Sequence, residues 1–136
     1  MDCVFCAIAA GQIPSTKVYE DDLTYAFLDI NPGSEGHIVV IPKAHSNDIR
    51  EVAPADLAAV FSTAQTLTLR AYEVLDCDGV NVISNCGAPA GQTVFHTHVH
   101  VIPRYVGSEK DRVGHPWIPQ PADLDELAAL GAKLAL

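Results

Sequence analysis

The chain has 136 residues, 49% of them hydrophobic and 18% charged, with a formal net charge of −9. That is the composition of one globular domain with a real core. The acidic balance argues against a nucleic-acid backbone as partner, and no apolar run approaches the ~18 residues that a transmembrane helix needs.

Other bulk features narrow the setting. Asp2 is acidic and no basic n-region precedes an apolar stretch, so no secretory leader is expected. Of the four cysteines, Cys3 and Cys6 form a Cys-x-x-Cys pair, while Cys77 and Cys86 stand alone. That usage fits a reducing cytoplasm better than a disulfide framework. An anionic ligand would have to be held by local chemistry, because the net charge of the chain opposes it.

In chain order, residues 3–10 predict a short helix ended by Gly11. Lys17–Glu20 and Thr24–Ile30 read as two strands around an Asp21-Asp22 turn, followed by a polar loop over Asn31–Gly36. His37–Ile41 is a β-branched strand stopped by Pro42. The clearest helix covers residues 54–75. Pro54 suits its first turn, and Leu57, Val60, Phe61, Ala64, Leu67, Ala71 and Leu75 recur at helical spacing. Val80–Asn85 is a strand. The stretch 107–121 has no periodicity, and no role is assigned to its His115-Pro116-Trp117. A terminal helix is expected over Asp123–Leu134, with Asp123 as N-cap and Glu126 three residues on. There is no repeat or linker, so residues 1–136 form a single α+β domain with one long helix on a mainly antiparallel sheet.

The most informative stretch is His96-Thr97-His98-Val99-His100, with half of the six histidines in five positions. Side chains alternate along a strand, so His96, His98 and His100 face one way, and Thr97, Val99 and Val101 face a core. Imidazoles can act as base, acid, nucleophile or metal ligand near neutral pH. Same-face neighbours lie roughly 6.6 Å apart, so the row spans about 13 Å, too long for all three to reach one ion. An extended anion such as a phosphate suits it better, with one imidazole attacking and its neighbours donating hydrogen bonds. The preceding loop, Gly87-Ala88-Pro89-Ala90-Gly91-Gln92-Thr93, offers exposed amides and two neutral donors in Gln92 and Thr93, as a phosphate cradle would.

Asn85, then Gly91-Gln92-Thr93-Val94-Phe95-His96-Thr97-His98-Val99-His100-Val101-Ile102, resembles the signature of the histidine triad (HIT) family, whose pattern is His-φ-His-φ-His-φ-φ with φ apolar. The likeness extends back through Phe27-Leu28-Asp29-Ile30 and Gly36–His45 and covers roughly residues 3–106, leaving a tail at 107–136. Thr97 departs from the apolar preference.

The resemblance implies a meander of about five strands, mainly antiparallel, with one long helix and short terminal helices, in a homodimer. It implies nucleotidyl transfer through His98, assisted by His100 and His37. Asn85, Gln92 and Thr93 would hold phosphate oxygens, and Asp29 the ribose hydroxyls. Phe5, Ile13, Phe27 and Ile30 would clamp the base. Arg104 either reaches the phosphates or is a solvated strand-end cation, the second being the preferred reading. By spacing alone, Cys3-x-x-Cys6 is either half of a zinc site or a pair of redox or incidental thiols. The zinc-bearing bacterial branch resembles this chain here, and implies Cys3, Cys6, His45 and His96 as ligands of a structural zinc.

The expected substrate is a substituted purine nucleoside monophosphate of the phosphoramidate type. Dinucleoside polyphosphate hydrolysis and a non-catalytic nucleotide-binding module are the alternatives. Neither a nucleic acid nor a membrane is an expected partner.

Overall fold

The computed structural model describes residues 3–114 and 117–136. His115 and Pro116 lie outside the described residues. The elements are α1 (Val4–Ala9), β1 (Lys17–Glu20), β2 (Thr24–Leu28), β3 (Ile38–Pro42), α2 (Pro54–Val74), β4 (Gly79–Ile83), a 3-10 turn (Ala88–Ala90), β5 (Val99–Arg104) and α3 (Leu124–Leu134).

The strands form one sheet in the order β1-β2-β3-β5-β4, with every pairing antiparallel. β1 to β3 run as a meander. The β1–β2 turn is fixed by Asp21, whose carboxylate accepts from the amides of Leu23 and Thr24 at 3.0 and 2.7 Å. After β3, α2 carries the chain across the sheet to the far edge. β5 then slots between β3 and β4. This placement sets Val39 beside His100 and Ile83 on the other side of His100.

Alternation divides the apolar residues between two faces. Ala26, Ile38, Val40, Val99 and Val101 pack under Val60, Ala64 and Leu67 of α2. Tyr25, Phe27, Val39 and Ile41 pack under Phe5 and Ile8 of α1. His100 shares this second face with Val39, its partner in register. The α2 stripe is Val60, Thr63, Ala64, Leu67 and Ala71. Phe61, expected in it, is exposed. At 100° per residue it sits about 105° from the stripe's centre, on the flank of the helix. Gly36, with φ +83°, lets α2 end close by: a Cβ there would lie 2.5 Å from Leu75.

Several boundaries moved: β2 ends at Leu28 and β4 at Ile83, each two residues earlier than expected, and β3 runs on through Pro42. β5 begins at Val99 rather than at His96, because its ladder with β3 stops at the Val40–Val99 pair. β5 runs through Pro103 to Arg104. In α3, Asp123 caps as expected, accepting from the amides of Asp125 and Glu126. None of the residues of α3 is buried. Among the described residues, no helix is long and apolar enough to cross a membrane.

Candidate active site and metal cluster

A bend over residues 94–96 leads through Thr97 and His98 into β5. Thr97 points to the core side and is buried. Its amide donates to Ser46 O at 2.8 Å, and its hydroxyl pairs with the Ser46 hydroxyl at 2.7 Å. A buried hydroxyl needs such a partner. The departure from an apolar residue here is therefore matched by Ser46.

His96 and His98 turn to the opposite side, toward α1. The His98 ring donates from Nδ1 to the carbonyl of His96 at 2.6 Å, which leaves Nε2 with the lone pair. The carbonyl of His98 is held in turn by the Ser84 hydroxyl at 2.7 Å. The Phe5 ring meets the His98 ring edge-on, centroids 5.1 Å apart.

A second chain of hydrogen bonds fixes the other imidazoles. The Gly33 amide can only donate, and it lies 3.0 Å from His37 Nδ1. Neutral His37 therefore carries its proton on Nε2 and gives it to His100 Nδ1 at 2.9 Å. Neutral His100 then carries its own proton on Nε2. Asp29 Oδ2 stands 3.6 Å from His37 Nε2, beyond a hydrogen bond. Burial holds all three imidazoles below the usual histidine range, and Asp29 opposes the shift. His100 falls to about 4, through burial first and then the neighbouring His98 and His37. Near neutral pH the site thus presents one imidazole lone pair beside one imidazole N–H. Asp29, His37 and His100 also converge closely enough for a cation, but the facing nitrogens of the two histidines already bond to each other.

His98 and His100 close one end of a cavity of about 380 Å³. Its walls bring together Phe5, Ile13, Phe27 and Ile30, with Asp29 on one side and Thr93 near the histidines. Ile30 is 90% exposed and stands at the rim. His37 lies behind His100, outside the lining.

Four amides of the 87–93 loop are spent inside it: those of Ala90, Gly91 and Gln92 bond within the loop, and that of Gly87 donates to Gln92 Oε1 at 2.8 Å. Gln92 is only 2% exposed, and its Nε2 donates to Asn47 O and Val94 O. Every polar atom of that amide group is used, so Gln92 braces the loop instead of facing the cavity. Asn85 lies beneath Gly91, where a Cβ would come within 3.2 Å of its Nδ2. Arg104 is not a solvated cation either. It bonds Asp111, Asn81 Oδ1 and Val113 O and ties down the segment after β5.

Beside the cavity, Cys3, Cys6, His45 and His96 bring one donor atom each within 4.8 Å of one another. Cys3 Sγ and Cys6 Sγ both lie 3.4 Å from His96 Nδ1; Cys6 Sγ is 3.3 Å and His96 Nδ1 3.2 Å from His45 Nδ1. A tetrahedral zinc with Zn–N near 2.0 Å and Zn–S near 2.3 Å has edges of about 3.3–3.8 Å, so the set fits. His96 Nε2 donates to Pro42 O at 2.8 Å, which points the lone pair of Nδ1 into the cluster. Burial and then Cys3 push the Cys6 thiol up to about 11. A cation would reverse that preference.

Sequence reasoning missed Ser84, Ser46, the Gly33 amide and the Pro42 carbonyl. The two backbone groups carry no residue-type signal. The two serines have partners that only the folded chain brings near.

Comparison with known proteins is consistent with this geometry. Residues 10–107 match the HIT domain family. The chain is 44% identical over 103 residues to the Arabidopsis thaliana protein named adenylylsulfatase HINT3, with 76% of this chain aligned and about half (52%) of that longer protein. It is similar in structure to a histidine triad nucleotide-binding protein from Candida albicans, at TM-score 0.86 and 35% identity, covering 98% of this chain and 94% of that one. A Zn-bound histidine triad family protein from Mycobacterium smegmatis superposes at TM-score 0.77 and 37% identity, covering 98% of each chain.

Proposed function

This chain belongs to the HIT family, and we propose that it cleaves a substituted purine nucleoside monophosphate of the phosphoramidate type through a covalent nucleotidyl-His98 intermediate. The family supports nucleotide binding and hydrolysis in general. The observation that carries the finer reading is the orientation of His98. Its Nδ1–H is spent on the His96 carbonyl, so its one free nitrogen is the unprotonated Nε2 of a ring that lines the cavity.

In this reading the base lies between Phe5, Ile13, Phe27 and Ile30, and Asp29 accepts from the ribose hydroxyls. Nε2 of His98 attacks phosphorus. A P–N bond to His98 forms as the bond to the leaving amine breaks. The amine keeps that electron pair and takes a proton from water. The positive charge that develops on the His98 ring is stabilised by its Nδ1–H bond to the His96 carbonyl. His100, holding its proton on Nε2, donates to a phosphate oxygen or the leaving group, with Thr93 as a further donor. His37 keeps His100 in that tautomer. Asn85 and Gln92 act on this site by shaping the loop that carries Thr93. Water then attacks phosphorus, the electron pair returns to Nε2 and the monophosphate leaves. The name of the Arabidopsis relative supports an adenylyl group as the moiety transferred.

We assign a structural zinc to Cys3, Cys6, His45 and His96. With four protein ligands it would crosslink three segments of chain and leave no open position for water. We also propose a homodimer, which the exposed apolar residues Leu124, Leu127, Leu130 and Leu134 of α3 and Ile83 at the sheet edge support.

The test is intact-protein mass after brief mixing with an adenosine phosphoramidate, for wild type, His98→Ala and His98→Gly. A nucleotidyl adduct on wild type that both variants lack is the expected result. Nucleotide binding without adduct or turnover over several substrates would replace the enzyme with a binding module.

A further inference from the structure

The metal cluster and the nucleotide cavity share a wall. Phe5 sits between Cys3 and Cys6, inside the single turn of α1 that they bracket. Its ring is edge-on to His98 at 5.1 Å and to Phe27 at 5.4 Å, and it lines the cavity. α1 is six residues long, too short to persist without tertiary contacts. Beneath it, only Phe5 and Ile8 are buried, and the chain beyond it is exposed over Gly11–Pro14. Its N-cap acceptor is Cys3 Sγ itself, 3.4 Å from the Cys6 amide.

The buried Phe5 and Ile8, the partly buried Ala9 and the sulfur–imidazole cluster therefore hold α1 in place. The four donor atoms lie within 4.8 Å of one another, and four of their pairs are 3.2–3.4 Å apart. A cation bound by all four at once would clamp α1 to His45 and His96.

We propose that Phe5 is a positioning residue through which metal loading sets nucleotide affinity: the cation seats α1, and α1 seats Phe5 against His98. Linkage is reciprocal, so nucleotide tightens the metal by the same factor. This rests on the zinc and nucleotide readings above and goes beyond both, because it makes the metal a determinant of the cavity wall and not of fold stability alone.

The experiment is calorimetric titration of AMP into the full chain, Zn-loaded and chelator-dialysed, for wild type, Phe5→Leu and Phe5→Ala. Cobalt(II) absorption records metal binding for each. Wild type is expected to bind AMP about tenfold more tightly when loaded, roughly the effect of losing one apolar wall. Phe5→Leu retains part of that ratio. Phe5→Ala binds cobalt normally but gives equal AMP affinities in its two forms. Amide exchange over residues 4–9 slows on loading. Where the chelated chain unfolds, chelator-dialysed His45→Ala, which lacks an exposed ligand, takes its place with the same expectation.

Equal AMP affinity with and without metal, with cobalt bound, overturns the linkage and leaves the metal site standing. A metal effect that persists in Phe5→Ala overturns Phe5 as its route. A chain that takes no cobalt removes the metal reading, and one that binds no AMP removes the nucleotide reading; either takes the linkage with it.

Discussion

His37 Nε2 donates to His100 Nδ1 at 2.9 Å, and the proton that it donates is set by the Gly33 amide on the far side of the ring. A backbone group three residues from the end of a loop thus decides which nitrogen of His100 meets the substrate. His37→Ala removes this control. Turnover of an adenosine phosphoramidate should fall about 100-fold with KM little changed, the range for a mispositioned acid–base partner. His37→Asn, which can still donate, should recover part of the loss. A change confined to KM would remove His37 from the relay.

The second prediction concerns pH. The folded pKa of His100 is lowered to about 4, from an unperturbed value near 6.5. Between these values the unfolded chain binds the extra proton, so stability rises with pH across the window. It is fully present above about pH 6.5 and is lost as pH falls toward 4, by up to ~1.4 kcal/mol per pH unit. Denaturant melts at pH 7, 6, 5 and 4 should show this slope, and His100→Gln should reduce it, with His37 and His98 supplying the remainder. A wild-type slope equal to that of His100→Gln sinks the assignment.

Thr97 and Ser46 bond hydroxyl to hydroxyl behind the histidine row. Thr97→Val strands the half-buried Ser46 hydroxyl and should cost about 1–2 kcal/mol in urea unfolding. The pair Thr97→Val/Ser46→Ala should cost less than the sum of its single changes, because each single variant already breaks the one bond. Strict additivity would show that the two hydroxyls do not depend on each other.

Gln92 offers a fourth test, because its amide group is consumed by Gly87, Asn47 and Val94. Gln92→Ala should destabilise the chain by about 1 kcal/mol, the cost of losing three hydrogen bonds to half-buried and exposed backbone groups. AMP affinity should weaken only as far as the loop loosens. A stable Gln92→Ala chain with lost phosphate affinity would return Gln92 to the role of direct ligand.

Much of the fold was legible in local patterns. The 3.6-residue stripe of α2, the β-branched runs and the turn residues are properties of neighbouring positions, and propensity and alternation read them directly. Phe61 shows the limit: a helical repeat includes flank positions, and only the packed sheet says where the stripe ends. The order β1-β2-β3-β5-β4 lay outside local reach as well, since it depends on how far α2 carries the chain before β4 begins.

The candidate site divides in the same way. The row of imidazoles on one face follows from covalent geometry, because side chains alternate along any extended backbone whatever surrounds it. Its chemistry does not follow. Which nitrogen is free depends on the His96 carbonyl, the Gly33 amide and the Pro42 carbonyl, and backbone groups are the same in every residue. The loop before the row has the composition of a phosphate cradle, yet four of its amides and the Gln92 side chain close on one another. The Cys3-x-x-Cys6 spacing marks half of a cluster, and His45 and His96 complete it from 39 and 90 residues beyond Cys6. Patterns within a turn or a strand are written into adjacent residues, whereas partners across the chain exist only once burial has forced distant segments together.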